Sequence, residues 1–102
     1  MTPAALPIAL PADEIARFCR ERGIRRLALF GSVLRDDFTP ASDVDMLVEY
    51  LPGRHPGLML FRQQDELAAS IRRRVDLHTP QSLSRHFRDE VLEASLPIYE
   101  QA

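Results

Sequence analysis

Residues 43–50, DVDMLVEY, alternate in the manner of a β-strand. Side chains two apart on a strand share a face. Val44, Met46, Val48 and Tyr50 therefore make one apolar face, and Asp43 and Asp45 stand together on the other. Their Cβ atoms would lie about 6.5–7 Å apart, given the strand rise. A strand built this way lays its apolar face against helices. Leu47 lies further along the acidic face, so the two aspartates belong at one end of a sheet, on the rim of a cleft.

Aligned anions repel unless a cation lies between them. Arginine can serve, but a divalent metal serves better. Mg²⁺ takes oxygen ligands, is held by one or two carboxylates and keeps positions open for substrate phosphates. Two such ions, about 3.5–4 Å apart, can hold both the attacking and the leaving oxygen of a phosphoryl displacement. Asp76 is a third candidate, because it interrupts a short apolar strand between Val75 and Leu77. If that strand pairs with Asp43–Tyr50, directly opposite side chains come within about 4.5–5.5 Å. Taken singly, an aspartate at a strand start reads as a solvated edge residue or a turn former. The Asp-x-Asp pair with a further aspartate on a neighbouring strand points to a metal site. A calcium loop of the EF-hand type is excluded, since no Gly or terminal Glu stands at the required offsets.

Gly31-Ser32 stands at the end of the apolar run LALF, with ten residues between it and Asp43. Glycine lets a backbone approach a phosphate closely, and free N–H groups at a helix start attract anions. The Ser32 hydroxyl adds a hydrogen bond. Alone, Gly-Ser is a common turn; its place ahead of the aspartates gives it meaning. One part would hold phosphates and the other the metals that bridge them.

The rest of the chain supports a single domain over residues 1–102. Pro11–Arg22 reads as a helix with Asp13 and Glu14 in its first turn and Gly23 as its stop. Ile24–Phe30 reads as a strand, Val33–Asp36 as a short helical turn and residues 38–42 as a loop. Gly57–Arg73 is a helix with Leu60, Gln64, Leu67 and Ile71 on one side and Phe61 and Ala68 alongside. Arg74–Thr79 is a third strand, and Ser82–Ala94 a last helix capped by Ser82 and repeating Leu83, Phe87 and Val91. Pro97-Ile98-Tyr99 docks as a short extended piece. Three strands interleaved with helices give an α/β (α+β) fold with one sheet covered by helices.

Composition excludes several chemistries. All 13 basic residues are arginine, so the lysine of a Walker-type loop or of a Schiff base is missing. The single Cys19 rules out an internal disulfide and a cysteine-rich zinc site, and fits a cytoplasmic setting. A net charge of −2 argues against nonspecific nucleic-acid binding. No apolar run is long enough to span a membrane. Residues 1–10, apolar and proline-rich without a basic n-region, read as a leading arm rather than a signal peptide.

With Gly31, Ser32, Arg35, Ser42, Asp43, Asp45 and Asp76 in view, the chain resembles a minimal nucleotidyltransferase of the DNA polymerase beta superfamily. The resemblance runs from the first helix to the last. It implies a small mixed β-sheet flanked by about three helices, a Gly31-Ser32 turn contacting the triphosphate of ATP, and Asp43, Asp45 and Asp76 as ligands of two Mg²⁺ ions. Asp76 would also help to activate the acceptor hydroxyl. Asp36 stands where many members have glycine, which stiffens the turn. Larger members carry a second, acceptor-binding domain. A chain this short is most similar to the antitoxins paired with HEPN-domain toxins. There, AMP moves from ATP to a tyrosine hydroxyl of the toxin and silences it, which implies a hetero-oligomer. The alternatives are a non-catalytic antitoxin acting by direct binding, or nucleotidyl transfer to a small molecule.

Among the remaining residues, Arg35 reads as a structural ion pair or a phosphate contact, and His78 shares the face of Asp76. Arg72-Arg73-Arg74 reads as a solvated helix end suited to the dipole. Phe87 and Tyr99 read as core or partner-facing.

Overall fold

The computed structural model describes residues 6–101. Helix α1 (Ala12–Glu21) follows Pro11, keeps Asp13 and Glu14 in its first turn, and buries Ile15, Phe18 and Cys19. Gly23, at φ +68°, reverses the chain into strand β1 (Ile24–Phe30). A 3₁₀ turn (Gly31–Leu34) and a loop lead to β2 (Val44–Tyr50). Helix α2 (Met59–Ile71) crosses to β3 (Val75–His78). A second 3₁₀ turn (Pro80–Ser82), α3 (Arg88–Ala94) and β4 (Leu96–Glu100) complete the chain.

The strands form one mixed sheet in the order β3-β2-β1-β4. β1 is antiparallel to β2 and β4, while β2 and β3 run parallel. Parallel neighbours need a crossover, and α2 supplies it. Leu27 faces Val48, Leu29 faces Met46, Val44 faces Val75 and Met46 faces Leu77. These pairs make one continuous apolar face, which packs on Ile15, Phe18 and Cys19 of α1 and Leu67 and Ile71 of α2. Each such side chain contributes about 1.5–3 kcal/mol by leaving water, so most of the stability resides on this side. Arg22 adds a tie between the helices: its Nη2 and Nε donate to the two carboxylate oxygens of Glu66 at 2.7 and 3.2 Å. Burial pushes the Cys19 thiol up to about 12, which leaves it inert as a nucleophile.

Several expectations shift in detail. The turn after β1 begins at Gly31 rather than Val33, because Gly31 at φ +78° itself bends the chain. The last helix does not begin at Ser82. The Ser82 hydroxyl is bound to the backbone of Thr79, and Leu83 is extended. Arg88 donates to the carbonyls of Pro80 and Leu83, so the helix starts there instead. Phe87 is consequently 60% exposed, and Phe61 on α2 is also outside the core at 63%. The tail forms a fourth strand, with Leu96 and Tyr99 opposite Leu29 and Leu27. Of the leading arm, Leu6, Ile8 and Leu10 pack against the core; residues 1–5 lie outside the described residues. No helix among the described residues is long and apolar enough to cross a membrane.

Candidate active site

The second face of the sheet carries Asp45, Asp76 and His78 beside the buried Ala28 and Leu47. Asp45 is central: it pairs with Phe30 across the antiparallel ladder and with Asp76 across the parallel one. Two neighbouring strands thus place two carboxylates in register. Two residues on, His78 repeats the face of Asp76. Its Nε2 lies 3.1 Å from Asp76 Oδ2 and 3.9 Å from Asp45 Oδ1. The ring of Phe30 meets the His78 ring edge-on, centroids 5.4 Å apart. Potential ligand atoms of Asp45, Asp76 and His78 all lie within 4.8 Å of one another.

Gly31 follows Phe30 directly, so the register that pairs Phe30 with Asp45 also brings the turn against the carboxylate. A Cβ added to Gly31 would sit 2.5 Å from Asp45 Oδ2. The turn is fixed below by the buried Val33 and closed by the Arg35 N–H donating to the Ser32 carbonyl at 2.9 Å.

Asp43 is placed differently. β2 begins at Val44, so Asp43 is released from the strand alternation. Its carboxylate pairs with Arg74 Nε at 2.9 Å and stands outside the Asp45–Asp76–His78 group. The arginine triplet is more than a solvated helix end. Arg72 takes the left-handed conformation, φ 57°, that closes α2. Arg73 Nη2 then donates to the carbonyls of Thr39, Pro40 and Ser42 at 3.1, 3.4 and 3.2 Å, with its guanidinium 4.7 Å from the Phe38 ring centroid. Arg74 also donates to the Ala41 carbonyl. Two adjacent arginines therefore clasp the loop that delivers Ser42 and Asp43. The Ser42 hydroxyl accepts the Thr39 N–H at 3.0 Å, tightening the same loop.

Burial, and then the charge of Asp76, raise the pKa of Asp45 above the usual carboxylate value. Arg35 is drawn to Asp37 and Arg74 to Asp43. The Asp45–Asp76 pair is thus only partly compensated by the protein. Two hard carboxylate oxygens facing each other on an open rim suit a divalent cation. A separate cleft of about 620 Å³, lined by Arg25, Glu49, Tyr50, Arg54 and Thr79 among others, does not include the acids.

The sequence model of the nucleotidyltransferase domain matches residues 12–99. The chain belongs to that family. A candidate protein adenylyltransferase of Methanocaldococcus jannaschii is 31% identical over 78 residues, covering 76% of this chain and 83% of the relative. The solved structure of a candidate minimal nucleotidyltransferase is 30% identical and superposes with a TM-score of 0.70, covering 84% of this chain and 87% of that one. The same fold recurs, at 20% identity and a TM-score of 0.58, in the complex of a tri-AMPylated Shewanella oneidensis HEPN toxin with an MNT antitoxin, where 88% of this chain and 70% of that chain are covered. The mixed four-stranded sheet with its three helices is the nucleotidyltransferase fold, and the enzyme class follows from the family.

Proposed function

We propose that this nucleotidyltransferase moves AMP from ATP to a tyrosine hydroxyl of a HEPN-family toxin in the cytoplasm, and so silences it. The in-register pair Asp45–Asp76, set against Gly31, carries this reading. The 31% identity to a candidate protein adenylyltransferase supports it, and so does the fold shared with an antitoxin complexed with an AMPylated toxin.

In this reading, Gly31 and Ser32 would receive the triphosphate, and Asp45 and Asp76, joined by Asp43 on release from Arg74, would hold two Mg²⁺ ions. When bound, Mg²⁺ supplies neutralisation of the phosphate charge. The acceptor oxygen attacks the α-phosphorus in line. A new P–O bond forms as the bond to the β-phosphate oxygen breaks, and pyrophosphate leaves. Asp76, half-exposed on the edge strand β3, takes the hydroxyl proton. Most of the acceleration comes from positioning and electrostatic complementarity.

The test is incubation of the protein with α-labelled ATP, Mg²⁺ and a HEPN toxin. Label should appear on the toxin, and Asp45→Asn should abolish it. Asp45→Asn should also raise the melting temperature of the metal-free protein, because it removes one of two opposed carboxylates. Absence of label with nucleotide still bound would refute the transfer. If Asp45→Asn suppressed toxicity as well as the wild type does, contact alone would be the mechanism.

A further inference from the structure

We propose that His78 is a nitrogen ligand of the divalent ion at this site and biases it from Mg²⁺ toward Mn²⁺ and its transition-metal neighbours. This rests on the reading of Asp45 and Asp76 as metal ligands and goes beyond it. Neighbouring ligands of an octahedral ion with bonds of about 2.1 Å are about 3.0 Å apart. The Nε2 of His78 lies 3.1 Å from Asp76 Oδ2 and 3.9 Å from Asp45 Oδ1. Small side-chain adjustments bring all three atoms onto one ion.

The ring is also held in place. His78 is half-buried, lies on the same strand as Asp76, and is braced edge-on by Phe30 at 5.4 Å. Its Nε2, rather than the ring face, is turned toward the two carboxylates. A purely structural histidine needs one partner; this one meets two acids that themselves meet across the ladder.

The chemistry of the donors then sets the selectivity. Mg²⁺ is a hard ion that binds through oxygen and keeps its waters. Imidazole suits later divalent metals, and affinity for nitrogen-containing sites rises from Mn²⁺ through Fe²⁺ to Co²⁺. Two carboxylates and one neutral imidazole balance the charge of a divalent ion. They present three ligands on one side and leave the other side for phosphate oxygens and water.

The experiment uses the full chain and Mn²⁺ alone. Binding is followed by loss of the free-ion electron paramagnetic resonance signal, and the ligands by electron spin-echo modulation. The wild type should bind Mn²⁺ and show nitrogen-14 modulation. His78→Ala should lose the modulation and bind Mn²⁺ at least about tenfold more weakly, while Mg²⁺ competition stays close to wild type. Asp45→Asn should remove Mn²⁺ binding altogether. If the wild type bound Mn²⁺ through Asp45 without nitrogen modulation, the role of His78 would be refuted and the aspartate site would stand. If the wild type bound no Mn²⁺, both would fall. The wild-type spectrum decides without dependence on whether either variant folds.

Discussion

Replacing Gly31 with alanine should separate stability from function in a measurable way. Two costs arise at this position. The backbone sits at φ +78°, where an L-residue with a Cβ loses about 1–2 kcal/mol. In a domain of this size each kcal/mol lowers the melting temperature by about 4–8 °C, so the variant should still be folded at 25 °C. The second cost is local. The new Cβ would lie 2.5 Å from Asp45 Oδ2, whereas ordinary contact begins at 3.4 Å. The carboxylate is the mobile partner, so it must retreat by about 0.9 Å. A displacement of about 1 Å in a catalytic group costs on the order of 100-fold. Transfer of label from α-labelled ATP to the partner should fall by that factor, and Mn²⁺ affinity should fall with it. Gly53 provides the control: it has φ +80° and nothing within 4 Å of its virtual Cβ. Gly53→Ala should lose similar stability and keep its activity. Activity of Gly31→Ala within a few-fold of wild type, or equal activity losses in the two variants, would refute the claim that Gly31 makes room for Asp45.

Two further outcomes follow from other contacts. Arg73→Ala removes one guanidinium from three carbonyls and from the Phe38 ring. It should cost about 1 kcal/mol by urea unfolding and speed amide hydrogen exchange at Ser42, whose N–H bonds to Thr39; unchanged exchange there would mean that the loop holds itself. Glu66→Gln tests the tie between α1 and α2. The Arg22 hydrogen bonds hold Glu66 below its ordinary value of 4.5. A depressed carboxylate stabilises the fold above the unfolded-state pKa and loses that contribution as pH falls through the folded one. The pair is partly exposed, so Glu66→Gln should cost less than about 1 kcal/mol near pH 7. The gap to wild type should close as the pH falls below 4.5. A gap that stays constant through that range would assign the effect to packing instead.

Much of this fold is legible in local patterns, because each element carries its own signal. The alternation of Val44, Met46, Val48 and Tyr50 marks β2, and the Ile15, Phe18 and Cys19 spacing marks the buried stripe of α1. Asp76 is legible through its interruption of an apolar run, and the parallel register sets it opposite Asp45. Other features depend on tertiary contacts. The alternation rule aligns Asp43 with Asp45, but Arg74 draws Asp43 aside just before the strand begins. The helical spacing of Leu83, Phe87 and Val91 is real, yet Pro80 and the Ser82 side chain form a separate turn first. β4 is legible only as the extended Pro97-Ile98-Tyr99 piece, and its place as a strand comes from pairing with the edge of β1. The partners of Arg73 lie more than 30 positions away, so no local pattern could name them.

The crossover that makes the parallel pair also sets the approach to the site. β2 and β3 can lie side by side only because α2 carries the chain back over the apolar face. Leu67 and Ile71 fix the position of that helix in the core. The helix must then end abruptly for β3 to begin beside Val44, and Arg72 in the left-handed conformation ends it. The next two residues leave that cap pointing at the loop before β2, where Arg73 holds carbonyls and Arg74 holds Ala41 and Asp43. The backbone repeats the connection, since the Val44 N–H donates to the Arg74 carbonyl at 2.8 Å. Any shift of α2 would therefore move Asp76 and the Asp43 loop together, while Asp45 stays fixed by its ladder to β1. The relative placement of Asp43 and Asp76 is governed by the helix terminus. Asp45, anchored between two strands, is the reference point against which both are set.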